Sequence, residues 1–178
     1  MTSFSDMWNG LQDSGKPTPY MLIDCAGIEG GADRIPKHIF SELECLFTGD
    51  LADELSDVGP YLGRLKSFGS EISNEVEDLL TRSLGILVVL SVTPTEDADP
   101  TFSQLHRHFR KFNVVYGPDG KPLFFRYYDP RTVGDVLKVL DAKQLDDFFG
   151  IVSTFVLMQD TKQVIQYQQQ AGGLILFA

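Results

Sequence analysis

Hydrophobic positions fall into two alternating patterns, unbroken apolar runs and stripes at helical spacing. PYMLIDCAG is nearly continuous and closes on glycine, which predicts a strand buried on both faces at about Tyr20 to Cys25. Asp33 then stands as an N-cap before Ile35, Ile39, Phe40 and Leu43, spaced as on a helix with Pro36 in its first turn. ECLFTG reads as a short strand, and LADELSDVGPYLGRLK as a loop leading into an edge strand. SEISNEVEDLLTRSLG sets Ile72, Val76, Leu79 and Leu80 on one face against acidic residues on the other, with Gly85 as the C-cap.

ILVVLSV is β-branched and wholly apolar, a second central strand, and TPTEDADP is the polar loop behind it. Asp99 and Pro100 form a cap and first position for a helix striped by Phe102, Leu105, Phe109 and Phe112. GPDG, between NVVY and KPLFFRYY, is hairpin turn chemistry. Val133, Val136, Leu137 and Leu140 mark one further helix. Asp141 and Gln144 make a capping box for another, which carries Leu145, Phe148 and Phe149 and ends at Gly150. From Ile151 onward the alternation is strand-like, with QD or DT as the turn of a final hairpin.

The fold expected is α/β or α+β, a mixed β-sheet flanked by helices in one compact domain. Residues 1–19 form an N-terminal segment, 20–150 the main unit and 151–178 an extension packed on it. The length of 178 residues suits a single core.

Composition narrows the partners. A net charge of −10 opposes attraction to phosphate backbones and anionic membranes, so nucleic acid and membrane insertion are not expected. The N-terminus has no basic-then-apolar leader pattern and no apolar run approaches a bilayer span, so a cytoplasmic location is the expectation. Cys25 and Cys45 lack CxxC spacing and read as reduced, buried thiols.

Chemistry-bearing motifs are sparse. GIEGGAD follows the first strand where a phosphate turn would sit, but it lacks GxGxxG and a GK[ST] ending. His106 and His108 are two apart on a helix and point to different faces, which suits a solvated basic surface better than a metal site. Arg107, Arg110 and Lys111 make that surface a positive patch, either plain helix surface or a dock for an acidic segment. There is no GxSxG, no HExxH and no Cys–His pattern, so no catalytic, cofactor or metal residue is assigned.

FFRYYDPR, Phe124 to Arg131, is the densest motif. Strand alternation would put Phe124, Arg126 and Tyr128 on one face and Leu123, Phe125 and Tyr127 on the other. Asp129 at the N-cap and Pro130 at N1 explain themselves as a helix start, which leaves Arg126 and Arg131 to be explained.

With DVGPYL (Asp57 to Leu62), GILVVLSV and LKVLDAKQLDDFFG, this motif resembles the domain of unknown function 4123 family over roughly Tyr20 to Gly150. The resemblance implies a non-enzymatic, cofactor-free adaptor chaperone that binds a type VI secretion effector and helps load it onto the spike protein. It marks Asp57, Tyr61, Arg126, Tyr128, Asp129 and Arg131 as motif or partner-binding positions. Many members continue into a longer helical C-terminal region, whereas this chain has a strand-like tail. GGLILFA in that tail is either a last core strand or an open sheet edge. Two alternatives stand beside the adaptor: an immunity-like toxin-binding protein, and a small phosphate-ligand enzyme using Arg126, Asp129 and Arg131.

Overall fold

The computed structural model describes residues 2–14, 18–91, 100–158, 163–170 and 173–177. Among the described residues nine strands are distributed over two sheets: β1 (Tyr20–Asp24), β2 (Phe40–Cys45), β3 (Pro60–Leu65), β4 (Gly85–Leu90), β7 (Val152–Met158), β8 (Val164–Gln170) and β9 (Gly173–Phe177) form one, and β5 (Val114–Tyr116) with β6 (Pro122–Phe124) a separate hairpin. The order in the large sheet is β2-β3-β1-β4-β7-β8-β9, and every pairing is antiparallel.

Strands and helices therefore share one fold as expected, in the α+β form, and no described ladder is parallel where a mixed sheet was expected. The βαβ rhythm behind that expectation is nonetheless real. β3 and β4 both run antiparallel to β1, so they are parallel to each other, with β1 between them.

Helices cover both faces. α1 (Phe4–Asp13) and α3 (Ser70–Thr81) lie on one side, where Trp8, Ile72, Val76 and Leu80 pack against Met21, Ile23 and Leu87. On the other side α4 (Pro100–Arg110), α5 (Pro130–Val139) and α6 (Ala142–Phe149) bring Phe109, Leu137 and Phe148 onto Leu22, Val88 and Phe155. A sheet buried on both faces explains why β1 and β4 are unbroken apolar runs. No described helix is long and apolar enough to cross a membrane.

Several expectations need correction. The segment from Asp33 to Leu43 is not one α-helix: two 3-10 turns (Gly31–Arg34 and Lys37–Ile39) lead into β2, which begins at Phe40. β2 has one face covered, so Glu42 and Glu44 look outward and its alternation is diluted by polar residues. As β2 is the edge, DVGPYLGRL supplies an interior strand instead, β3, preceded by the short α2 (Asp50–Leu55).

Gly85 does not cap α3. It is the first residue of β4, where a Cβ would lie 2.5 Å from Met21 Cε. Within the N-terminal segment, and at no variance with the expectation, α1 buries Phe4, Met7 and Trp8. The tail belongs to the main sheet, β7 pairing directly with β4. Asp99, the TPTEDADP loop before Pro100 and the QD/DT turn lie outside the described residues.

Candidate functional site

FFRYYDPR does not continue as a strand. β6 ends at Phe124, and a turn closed by Asp129 N donating to Arg126 O (3.1 Å) swings Tyr127 and Tyr128 inward, so both are buried rather than on opposite faces. Tyr127 stacks on Phe109 with ring centroids 5.7 Å apart, and its hydroxyl donates to Asn113 Oδ1 at 3.1 Å. Asp129 then caps α5 by accepting from the Arg131 amide at 3.0 Å, with Pro130 first in the helix as expected.

The two arginines meet acids at the end of β1. Arg126 Nη2 donates to Asp24 Oδ2 at 2.7 Å and lies 3.5 Å from Asp129 Oδ2. Arg131 grips Asp129 with two bonds, Nε to Oδ1 at 2.8 Å and Nη2 to Oδ2 at 2.9 Å, and its Nη2 is 3.6 Å from Asp24. Arg126 also stands 5.9 Å from the centroid of the Tyr128 ring. Asp24 is 1% exposed while Arg126 is 44% exposed, so the guanidinium forms a lid over a buried carboxylate.

The two carboxyls titrate in opposite directions. Burial is the largest effect on Asp24 and raises it above its ordinary value, against the pull of Arg126. Its Oδ1 makes no hydrogen bond of normal geometry, although the Ala26 amide still favours the ionised form. Burial also works to raise Asp129, but the Arg131 side-chain and backbone bonds and the charges of Arg131 and Arg126 together outweigh it and hold Asp129 low. The cluster is thus an ion-paired clasp tying β1 to the start of α5.

Asp57 and Tyr61 are elsewhere. Asp57 is exposed, and its backbone carbonyl accepts from Ala32 N at 2.8 Å, closing the Gly-rich turn. Gly31, at φ +66°, must be glycine there, because a Cβ would stand 2.5 Å from that carbonyl. GIEGGAD is therefore a packing turn that meets DVGPYL. Tyr61 pairs with Ile23 and Cys45 across the sheet on the face opposite the clasp. Burial, then the neighbouring Cys45 and Cys25, push its phenol up to about 12. Both cysteines are free, and burial raises both thiols, Cys25 to about 12.

The histidines are not a solvated face. His106 Nε2 donates to Cys45 O at 2.9 Å and His108 Nε2 to Phe148 O at 2.7 Å, so each pins one flank of α4. Among the described residues no group of three His, Cys, Asp or Glu is placed to hold a metal ion.

A model of the family described as "Domain of unknown function (DUF4123)" matches residues 19–147. The chain belongs to this family. No curated protein and no solved structure matches it.

The DUF4123 match includes both motifs and the clasp, and leaves α1 and β7 to β9 outside. Asp24, the centre of the clasp, was not singled out among the sequence motifs. Its signal is that it is the one charged residue in YMLIDC, a run buried throughout, and an acid there requires a cation from elsewhere in the chain.

What the clasp leaves open is apolar. Tyr116 is 74% and Phe124 63% exposed on the small hairpin, with Leu123 beside them, and Leu176 and Phe177 are exposed on β9, the outermost strand.

Proposed function

We propose that this chain is a non-enzymatic adaptor chaperone that holds a type VI secretion effector and helps load it onto the spike protein. One observation carries the reading: the motif arginines are ion-paired to the buried acids Asp24 and Asp129, while aromatic and aliphatic side chains stay exposed on a hairpin and an open sheet edge. Exposed apolar surface beside charge suits reversible capture of another protein. The two guanidinium charges are matched by the carboxyls of Asp24 and Asp129, which leaves the cluster little net positive charge to attract a phosphate ligand and favours the adaptor over the small enzyme.

Co-expression with an effector from a neighbouring gene should yield a complex that survives gel filtration, and the spike protein should join it. Failure to capture either would overturn the proposal. Loss of toxin activity inside the complex, with no transfer to the spike, would replace it with the immunity reading.

A further inference from the structure

α4 is fastened on three sides. Phe102, Leu105 and Phe109 face the core, His106 holds β2 and His108 holds α6. Outward, beside Ser103 and Gln104, are the cations Arg107 and Arg110, with Lys111 just past the helix end, all three exposed within about one helical turn. On a chain with 25 acidic and 15 basic side chains, cations normally find acids. Lys37, Arg64, Arg82, Lys121, Arg126, Arg131 and Lys138 do, while among the described residues Arg34, Lys66 and Lys143 have no such pair but stand singly along the chain. Among the described residues no carboxylate pairs with Arg107, Arg110 or Lys111; Arg110 Nη2 donates only to Thr48 Oγ1, at 2.9 Å.

These cations rim a cleft of about 370 Å³ whose apolar lining is Leu46, Phe47, Leu51 and Val114. A second cleft of about 260 Å³ lies across the same ridge and shares Arg107 and Lys111. The wall between cleft and core is held from behind: Asn113 Nδ2 donates to Leu46 O at 2.8 Å, Tyr127 OH to Asn113 Oδ1 at 3.1 Å, and Leu46 N to Pro60 O at 2.8 Å. A site organised before its ligand arrives loses less on binding.

We infer that this basic-rimmed cleft is the dock for an acidic peptide segment of a partner protein, with carboxylates on Arg107, Arg110 and Lys111 and an apolar side chain against Phe47 and Leu51. The occupant follows from charge complementarity together with the lining. A polyanion would meet the net charge of −10, whereas a short segment feels chiefly the local cations, since screening sets in beyond about 8 Å at physiological salt. The inference rests on the adaptor reading and assigns it a surface.

The test uses the full chain and a fluorescein-labelled peptide alternating Glu with Leu and Phe. Two control peptides carry Gln for every Glu, or Ser for every Leu and Phe. The alternating peptide should bind and weaken with salt, both controls should bind about tenfold more weakly or worse, and Arg107→Glu with Lys111→Glu should abolish binding without lowering the melting temperature. No binding, equal binding by the Ser control, or an unaffected double variant overturns the inference. So does stronger capture of duplex DNA or phosphatidylserine vesicles by the same residues, or self-association abolished by the double variant. An effector complex formed equally by wild type and double variant overturns the dock and leaves the adaptor; peptide binding with no effector or spike complex overturns the adaptor and leaves the dock.

Discussion

Arg126 and Asp24 make the same bond but contribute to stability with different signs. Replacing Arg126 with alanine strips the 2.7 Å donor from a buried carboxylate, and Arg131 at 3.6 Å is too far to replace it. A loss of about 1–3 kcal/mol is expected in urea unfolding, with peptide binding at α4 unchanged. Asp24 itself carries a raised folded value against 3.8 in the unfolded chain. The native state therefore holds more protons than the unfolded one across that interval, and stability from this group declines as pH rises through it. Asp129 is held low and acts in reverse, stabilising above the ordinary carboxylate range and losing its contribution as pH falls through its depressed value. Asp24→Asn should thus gain on wild type as pH is raised from 3 to 7, while Asp129→Asn should lose ground over the same range; parallel stability profiles for the two variants would contradict the assignment. The helix start at Asp129 and Pro130 was legible in the sequence because its partners are two residues away. The partner of Arg126 was not, because Asp24 is 102 positions distant.

Among elements, those with local punctuation were the ones legible in advance. α6 carries both halves of the capping box expected of Asp141 and Gln144. GPDG joins β5 to β6 as its turn residues demand, with Gly120 at φ +74°. α3 formed where its stripe predicted, but its end shows what spacing alone misses. Ser83 N donates to Leu80 O and Leu84 N to Leu79 O, the paired bonds of a Schellman cap, with a serine at φ +54° where glycine is usual. A left-handed non-glycine costs about 1–2 kcal/mol, partly offset because glycine gains more freedom when unfolded. Ser83→Gly should therefore raise stability by about 0.5 kcal/mol, read as a higher urea midpoint at unchanged slope. β2 was misread for the opposite reason, since Ile35, Ile39, Phe40 and Leu43 fit a helix by coincidence. Pro36 is the N-cap of the second 3-10 turn, and the pairing of Phe40–Cys45 with β3 is information that no local window contains.

For the whole molecule, the family match and the folded unit do not coincide. Residues 19–147 contain both motifs and the clasp, yet β4, buried at all six positions, has β7 as its second neighbour. Removing β7 to β9 would expose one edge of β4 and take Val152, Phe155, Leu157, Ile165 and Tyr167 from the core under α4 and α6. Removing α1 would uncover the other face, where Trp8 Nε1 donates to Phe68 O at 3.2 Å. Five core side chains at about 1.5–3 kcal/mol each amount to as much as the whole net stability of an ordinary domain. A fragment limited to residues 19–147 is accordingly expected to show no cooperative thermal transition and a collapsed amide proton spectrum, while the full chain melts in one step. A sharp melt from the fragment would mean that the matched span is a domain in its own right and that the tail is an addition to it. The sheet order argues otherwise, because β4 sits at its centre and takes its two neighbours from either side of the matched span's end.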